Sequence, residues 1–455
     1  MSRPRIKVKH GEESLVSHSG LILIGDLLEA TNLKERLPQI NIRCDQRKYS
    51  HADIAFSMMG LISIGKPDYD AIECFRDNPQ FFNDSLGLSG CPSSATLRQR
   101  LEMMAQRPAY ELLKQESALL VRRKAPAITP LSTSAGQLVP VDIDVSPFDN
   151  SKTHKEGVSR TYKGCDGYAP IFAYLGGEGW LVNVELREGS QHCQKGTPEF
   201  LNETLRLVRS ITSQRILMRL DSGNDSQDNF PGDEFQNVEF IIKRNLRKEK
   251  LSAWLELAKA CGQERSCRPG KRNWIGKTDI GIDGRKLPYP IVFEVTERTI
   301  VKGQLLALPQ IEVDTYWVSL KELEAQEVID LYHDHGTSEQ FHSEIKTDLD
   351  LDRLPSGSFA TNELILHLGM LVYNMMRIIG QESLAAADAS DPLPLPRQRE
   401  VQRRRVRTVM QDFIYLAGRL IRTARQWFIS FGRLNPFAHL WQRIELRLRM
   451  GPETG

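Results

Sequence analysis

From Leu138 to Phe148 the chain reads LVPVDIDVSPF, an alternation of period two. It puts Val141, Ile143 and Val145 on one side of an extended segment and Asp142, Asp144 and Ser146 on the other. Such a strand needs a sheet for its apolar side, and its carboxylates need water, a cation or a counter-charge. The next segments restrict that sheet further. GYAPIFAYLGGEGWLVNVELREG reads as a hairpin with Gly176, Gly177 and Gly179 in the turn, and PEFLNETLRLVRSI as an amphipathic helix. RILMRLDSG is a strand stopped by Ser222 and Gly223, and VEFIIKRN is a further strand. The order strand, strand, strand, helix, strand, helix or loop, strand specifies an α/β core.

The texture differs on either side of this core. Residues 1–124 read as a helical N-terminal region suited to DNA binding, 125–137 as a linker, and 138–245 as the first part of the core. WIGKTDIG, YPIVFEVTERT and IEVDTYWVSL make 246–320 a strand-rich insertion. Helices over 321–383 complete the core, 384–398 forms a second linker, and 399–455 is a basic helical tail. Ser93 or Ser94, after Pro92, can cap a helix from whose early turns Arg98 and Arg100 project. Small helical units present arginines to DNA in this way, although packing alone would also use them.

The 455 residues, 40% hydrophobic and 26% charged, are those of a soluble protein with two or three domains. GLILIGDLLEA near the N-terminus is short and carries Asp26 and Glu29, so it does not read as a signal peptide, and no uninterrupted apolar run approaches the roughly 18 residues of a membrane span. A cytoplasmic location is expected. Seven cysteines, an odd number and widely spaced, read as reduced thiols. The net charge of +2 hides an asymmetry: residues 397–449 contain thirteen Arg, no Lys and three acids, hence +10 against −8 for the rest. A basic end on an acidic body suits a polyanion partner combined with a site where acids gather.

One segment concentrates titratable groups. YHDHGTSEQFHSEIK, drawn as a helix, brings Tyr332, His335, Glu339, His342 and Lys346 into one arc and leaves Phe341, Ile345 and Leu349 on an adjoining one. A solvated helix face would carry the same residues. Gly336 weakens a continuous helix, and Thr337 could cap one that starts there, which would remove Tyr332 and His335 from the face and leave Glu339 and Lys346 on it. Asp144 on the first strand, Asp221 at the end of a later one and Glu339 on this helix can meet in one cleft. Three carboxylates there would hold hard divalent ions such as Mg²⁺. Two such ions would activate a water or a 3′-hydroxyl for in-line attack on phosphorus.

The strand order, D-x-S at Asp144, R-L-D-S-G ending at Gly223, and Y-x2-H-x3-E-x6-K from Tyr332 to Lys346 resemble the ribonuclease-H-like core of DDE insertion-sequence transposases, in particular those with a Tyr-Arg-Glu-Lys motif and a β-rich insertion. The tail FIYLAGRLIRTARQWFISFGRLNPF is similar to that of the insertion sequence 1380 family. The resemblance implies Asp144, Asp221 and Glu339 as catalytic metal ligands for two Mg²⁺ ions, with Mn²⁺ able to substitute. It also implies Tyr332 and Lys346 on DNA backbone phosphates, with His335 where the family usually has Arg. The family pattern favours Asp144 over Asp142 on the shared strand face.

The implied protein is a bacterial transposase that binds its element's terminal inverted repeats, cleaves there and joins the 3′-ends to target DNA. It would act as a homodimer on double-stranded DNA. The N-terminal helices and Arg403, Arg404, Arg405 and Arg407 would contact the duplex. GGEG lacks a phosphate-loop ending, so no nucleotide is expected; DLDLDR fails as a calcium loop at Arg353, and neither Cys261 with Cys267 nor the three nearby histidines has metal-site spacing. A DNA-binding relative that does not cut, or a structure-selective nuclease on the same fold, would share much of this pattern.

Overall fold

The computed structural model describes residues 6–42, 48–77, 79–265, 268–302, 304–387, 401–424 and 426–450. A short strand, β1 (Leu15–Val16), precedes the helices α1 (Leu21–Glu29), α2 (His51–Ser63), α3 (Gln80–Leu86), α4 (Ser94–Met104) and α5 (Arg107–Lys124). Side chains fix where they start. Ser50 and Asp53 form a capping box on α2, and the same carboxylate accepts from Ser89 N–H at 2.8 Å, joining α2 to the loop after α3. Ser93 caps α4 through Thr96 N–H.

The stretch expected as a linker contains β2 (Leu131–Thr133), which pairs with β3 (Gly136–Val145). There follow β4 (Ile171–Leu175), β5 (Trp180–Glu185), α6 (Thr197–Ile211), β6 (Ile216–Leu220) and β7 (Val238–Lys243). The turn between β4 and β5 needs glycine at two places, because Gly176 and Gly179 have φ of 75° and 73°. After α7 (Leu251–Cys261) come β8 (Gln263–Arg265), β9 (Lys271–Ile280), β10 (Lys286–Val301) and β11 (Gln304–Val318).

All these strands except β1 share one mixed sheet, in the order β8-β9-β10-β11-β7-β6-β3-β4-β5 with β2 beside β3. The strand-rich segment therefore continues the central sheet through the antiparallel pairing of β7 with β11. Strands β3, β6 and β7 are parallel to one another at its centre. Leu138 to Ile143 are buried throughout, so the inner stretch of β3 is covered on both faces, while at its C-terminal end Asp144 and Val145 are partly open.

The segment drawn as one helix from Tyr332 is four short pieces. Helix α8 (Ala325–His333) gives way to a 3₁₀ turn over Asp334–Thr337, around Gly336. Helix α9 (Ser338–Ser343) follows, and a π-turn over Glu344–Asp348 closes with Leu349 N–H on Glu344 O. Tyr332 thus belongs to a different helix from Glu339 and Lys346. Behind α9 runs α10 (Phe359–Ala386), 28 residues long. It is long and apolar enough to cross a membrane, yet its most apolar stretch is almost wholly buried inside the protein, where it serves as the core helix.

The arginine-rich end is not wholly helical. Strands β12 (Gly418–Arg422) and β13 (Trp427–Phe431) form a hairpin that takes in β1 as a third strand, before α11 (Ala438–Met450) packs against α10 and α1. Ile421, Ile429, Trp427 and Phe428 are β-branched or aromatic, residues that suit a strand better than a helix. Most of the second expected linker lies outside the described residues.

Candidate active site

Strands β3 and β6 run parallel with Ile143 opposite Leu220. The next residue on each is an aspartate, so Asp144 and Asp221 stand side by side at adjacent strand ends, about 4.8 Å apart strand to strand. Each is oriented by its neighbours. Asp144 Oδ1 accepts from Val145 N–H at 2.7 Å, and Oδ2 lies 3.2 Å from His342 Nε2. Asp221 Oδ1 accepts from Asn224 at 2.7 Å, at the mouth of a one-turn 3₁₀ helix over Ser222–Asn224.

Asp142 has a different fate. It forms a buried bidentate pair with Arg219, whose Nη1 also donates to Leu331 O. A carboxylate engaged in this way by a guanidinium on the adjoining strand is a structural group.

Two tyrosines flank the aspartates. Tyr162 is exposed, and its hydroxyl donates to Val145 O at 3.1 Å. Burial first, then the charges of Asp144 and Asp221, push that hydroxyl's pKa far up. Tyr332, half-buried with its ring 4.8 Å from Tyr316, is raised by burial and by Asp221, Tyr316 and Asp144. Both hydroxyls therefore keep their protons beside the carboxylate pair. Tyr162 was not expected from the sequence, since a tyrosine in a loop carries no periodic signal.

Lys346 donates to Pro147 O at 2.6 Å and lies 5.6 Å from the centre of the Phe148 ring, so it is tied to the chain just beyond Asp144. Burial lowers its pKa. Glu339 is exposed on α9, one turn before His342, and lines a cleft of about 400 Å³ with Gln340, Ser343, Glu344, Arg403 and Arg405. The His335 side chain lies outside the described residues.

The arginines expected on DNA are arranged otherwise. Arg98 is exposed, but Arg100 is 4% exposed and donates to Tyr49 O and bonds His51 Nδ1, both at 3.0 Å, so it holds the start of α2 and does not project. Arg403 bonds Glu344 at 2.7 Å and Gln340 at 2.6 Å. Arg404 is buried against Asp412 and Ser383, where no duplex could reach it. Arg405 and Arg407, half-exposed, both grip the buried Asp348. The tract forms a strap along the segment that follows Glu339, because Glu344 and Asp348 need counter-charges there.

Asp144 and Asp221 are hard oxygen donors on neighbouring strand ends and so fit a divalent cation. Among the described residues, no three His, Cys, Asp or Glu side chains are gathered closely enough to hold a metal ion. Of the three carboxylates expected to meet, Asp144 and Asp221 follow neighbouring strands, whereas Glu339, on α9, is not gathered with them.

The fold is a mixed α/β sheet whose central parallel strands β3 and β6 each lead into an aspartate, Asp144 and Asp221. Residues 1–452 match the family described as transposase DDE domain group 1, and the chain belongs to that family. Among solved structures it is similar to a piggyBac transposase synaptic complex with hairpin DNA, at 10% identity and a TM-score of 0.43, over 88% of this chain and 80% of the other. No curated protein matches it.

Proposed function

We propose that this transposase belongs to a bacterial insertion sequence, binds the terminal inverted repeats of its own element, cuts the DNA there and joins the freed 3′-hydroxyls to target DNA. The observation that carries the reading is that Asp144 and Asp221 immediately follow Ile143 and Leu220, which face each other on adjacent parallel strands. Asp144, Asp221 and Glu339 would hold divalent cations, Mg²⁺ or Mn²⁺, which when bound supply charge neutralisation at phosphorus and a more acidic water or 3′-hydroxyl. Asp144 is held in orientation by Val145 N–H and His342. Tyr162 and Tyr332, both neutral, stand beside the pair and add no negative charge where a phosphate would approach. Lys346 and the exposed Arg98 supply positive charge for the duplex, and two element ends brought together call for a homodimer.

A second reading is a DNA-binding relative that does not cut, which the lack of three gathered ligands among the described residues favours. One assay separates the two: purified protein, DNA carrying the element's terminal repeats, and either Mg²⁺ or EDTA. Cleaved and joined products with Mg²⁺ alone support transposition. Retention of that DNA without products in either condition supports the binder and overturns the transposition reading.

A further inference from the structure

Across the antiparallel pairing of β3 with β4, Asp142 faces Tyr174 and Asp144 faces Phe172. Residues directly opposite in a ladder point to the same side of the sheet. His342 enters this row from α9. It is 5% exposed, its ring centre lies 5.1 Å from that of Phe172 and 5.4 Å from that of Tyr174, and it bonds at both nitrogens. Nδ1 is 3.1 Å from the Tyr174 hydroxyl, and Nε2 is 3.2 Å from Asp144 Oδ2.

Chemistry assigns the protons. An ionised carboxylate only accepts, so Nε2 carries the hydrogen of the bond to Asp144. Nδ1 can then accept from Tyr174, whose hydroxyl is held in its protonated form by complete burial. With Oδ1 fixed by Val145 N–H and Oδ2 by His342, both oxygens of Asp144 are anchored before any cation arrives. The same imidazole ties α9 to the sheet one turn after Glu339. A single side chain thus sets the plane of one proposed ligand and the seating of the helix that carries another.

We propose that His342, supported by Tyr174, is a positioning residue that orients Asp144 for divalent-cation binding and registers the Glu339 helix on the sheet. This rests on the reading of Asp144 and Asp221 as cation ligands, and it adds a residue that touches neither cation nor DNA. Groups that hydrogen-bond a ligand typically account for 10–100-fold in metal affinity.

The test is Mn²⁺ binding to the full chain without DNA, with free ion counted by electron paramagnetic resonance and folding followed by circular dichroism. His342→Ala and His342→Phe are expected to weaken binding about 10–100-fold. His342→Gln, whose amide N–H can reach Asp144 as Nε2 does, is expected to restore affinity to within about threefold of wild type at a similar melting temperature, an effect that packing alone would not produce. If the alanine variant fails to fold, the phenylalanine variant keeps the ring volume, and Tyr174→Phe removes one oxygen and is expected to weaken binding several-fold.

Asp144→Asn is the control for the underlying reading. If it loses Mn²⁺ while His342→Ala and His342→Phe bind as wild type, the positioning inference is overturned and the ligand reading stands. If Asp144→Asn itself binds Mn²⁺ like wild type, the ligand reading is overturned and the inference falls with it.

Discussion

Asp142 and Arg219 meet across neighbouring parallel strands in a bidentate pair of 2.6 and 2.8 Å, two residues before Asp144 on the same strand face. Both partners are nearly inaccessible to water, and removing one member of a buried pair leaves the other uncompensated, at a cost of about 3–5 kcal/mol. Asp142→Asn is therefore expected to lower the unfolding free energy by an amount of that order. Asp144→Asn, at a site still open to solvent, is expected to leave the melting temperature close to wild type and to abolish cleavage. Thermal melts of the two variants beside an end-cleavage assay check this. Equal destabilisation by both would refute the division of labour between them.

A second buried ion pair fixes the helix behind the site. Arg377 on α10 and Arg403 from the strap both bond Glu344, and Arg377 and Glu344 have essentially no solvent contact. Arg377→Met is expected to destabilise by about 3–5 kcal/mol in urea unfolding, since a carboxylate would be left with one cation instead of two. The double variant Arg377→Met with Glu344→Leu is expected to lose less than the sum of the single losses, because no orphan charge remains on the helix side. Strict additivity would show that the pair is not coupled.

What the sequence disclosed was what repeats locally. Strands β3 and β6 announced themselves by alternation and by a stop at Ser222 and Gly223, so Asp144 and Asp221 could be placed at strand ends. Pairing was hidden. Asp142 and Asp144 are indistinguishable by period, and the residue that separates them, Arg219, lies 77 positions away, its one local trace being a lone charge in the apolar run ILMRL. The strap failed for the same reason: charge counting sees thirteen arginines, while the acids that engage Arg403, Arg405 and Arg407 come from Glu344 and Asp348, 57 to 59 residues earlier. Gly336 did signal the break before Glu339. The β12–β13 hairpin was misread as helix because spaced apolar residues suit either period when a turn is as plain as Thr423 to Gln426.

Arg405 and Arg407 offer a way to tell strap from DNA grip. Both bond Asp348, whose side chain is wholly buried, while their own side chains are 50% and 57% exposed. A residue that neutralises one phosphate contributes about one to the slope of log affinity against log salt. The double variant Arg405→Ala with Arg407→Ala is expected to melt at a lower temperature and to change that slope by less than about one. A drop of about two at an unchanged melting temperature would return both residues to the duplex.

A pH dependence follows from Glu363, in the second turn of α10. Its carboxyl faces a cleft that Lys114, Glu185 and Glu203 also line, and Lys114 is engaged by Glu203 at 2.7 Å. Burial raises the Glu363 pKa from 4.5 to about 7, Lys114 opposes the shift, and Glu185 and Glu203 add to it. Below about 4.5 the group is protonated whether the chain is folded or not, and its contribution to stability is fully present. As pH rises toward about 7 the unfolded chain ionises while the folded one does not, so stability is progressively lost, and above that value the loss levels off. Glu363→Gln, neutral throughout, is expected to melt with wild type near pH 4.5 and to be more stable by roughly 2 kcal/mol near pH 8. Melting curves of both proteins at closely spaced pH values decide the matter. A constant difference between them across that range would mean that Glu363 ionises as freely in the fold as in the open chain.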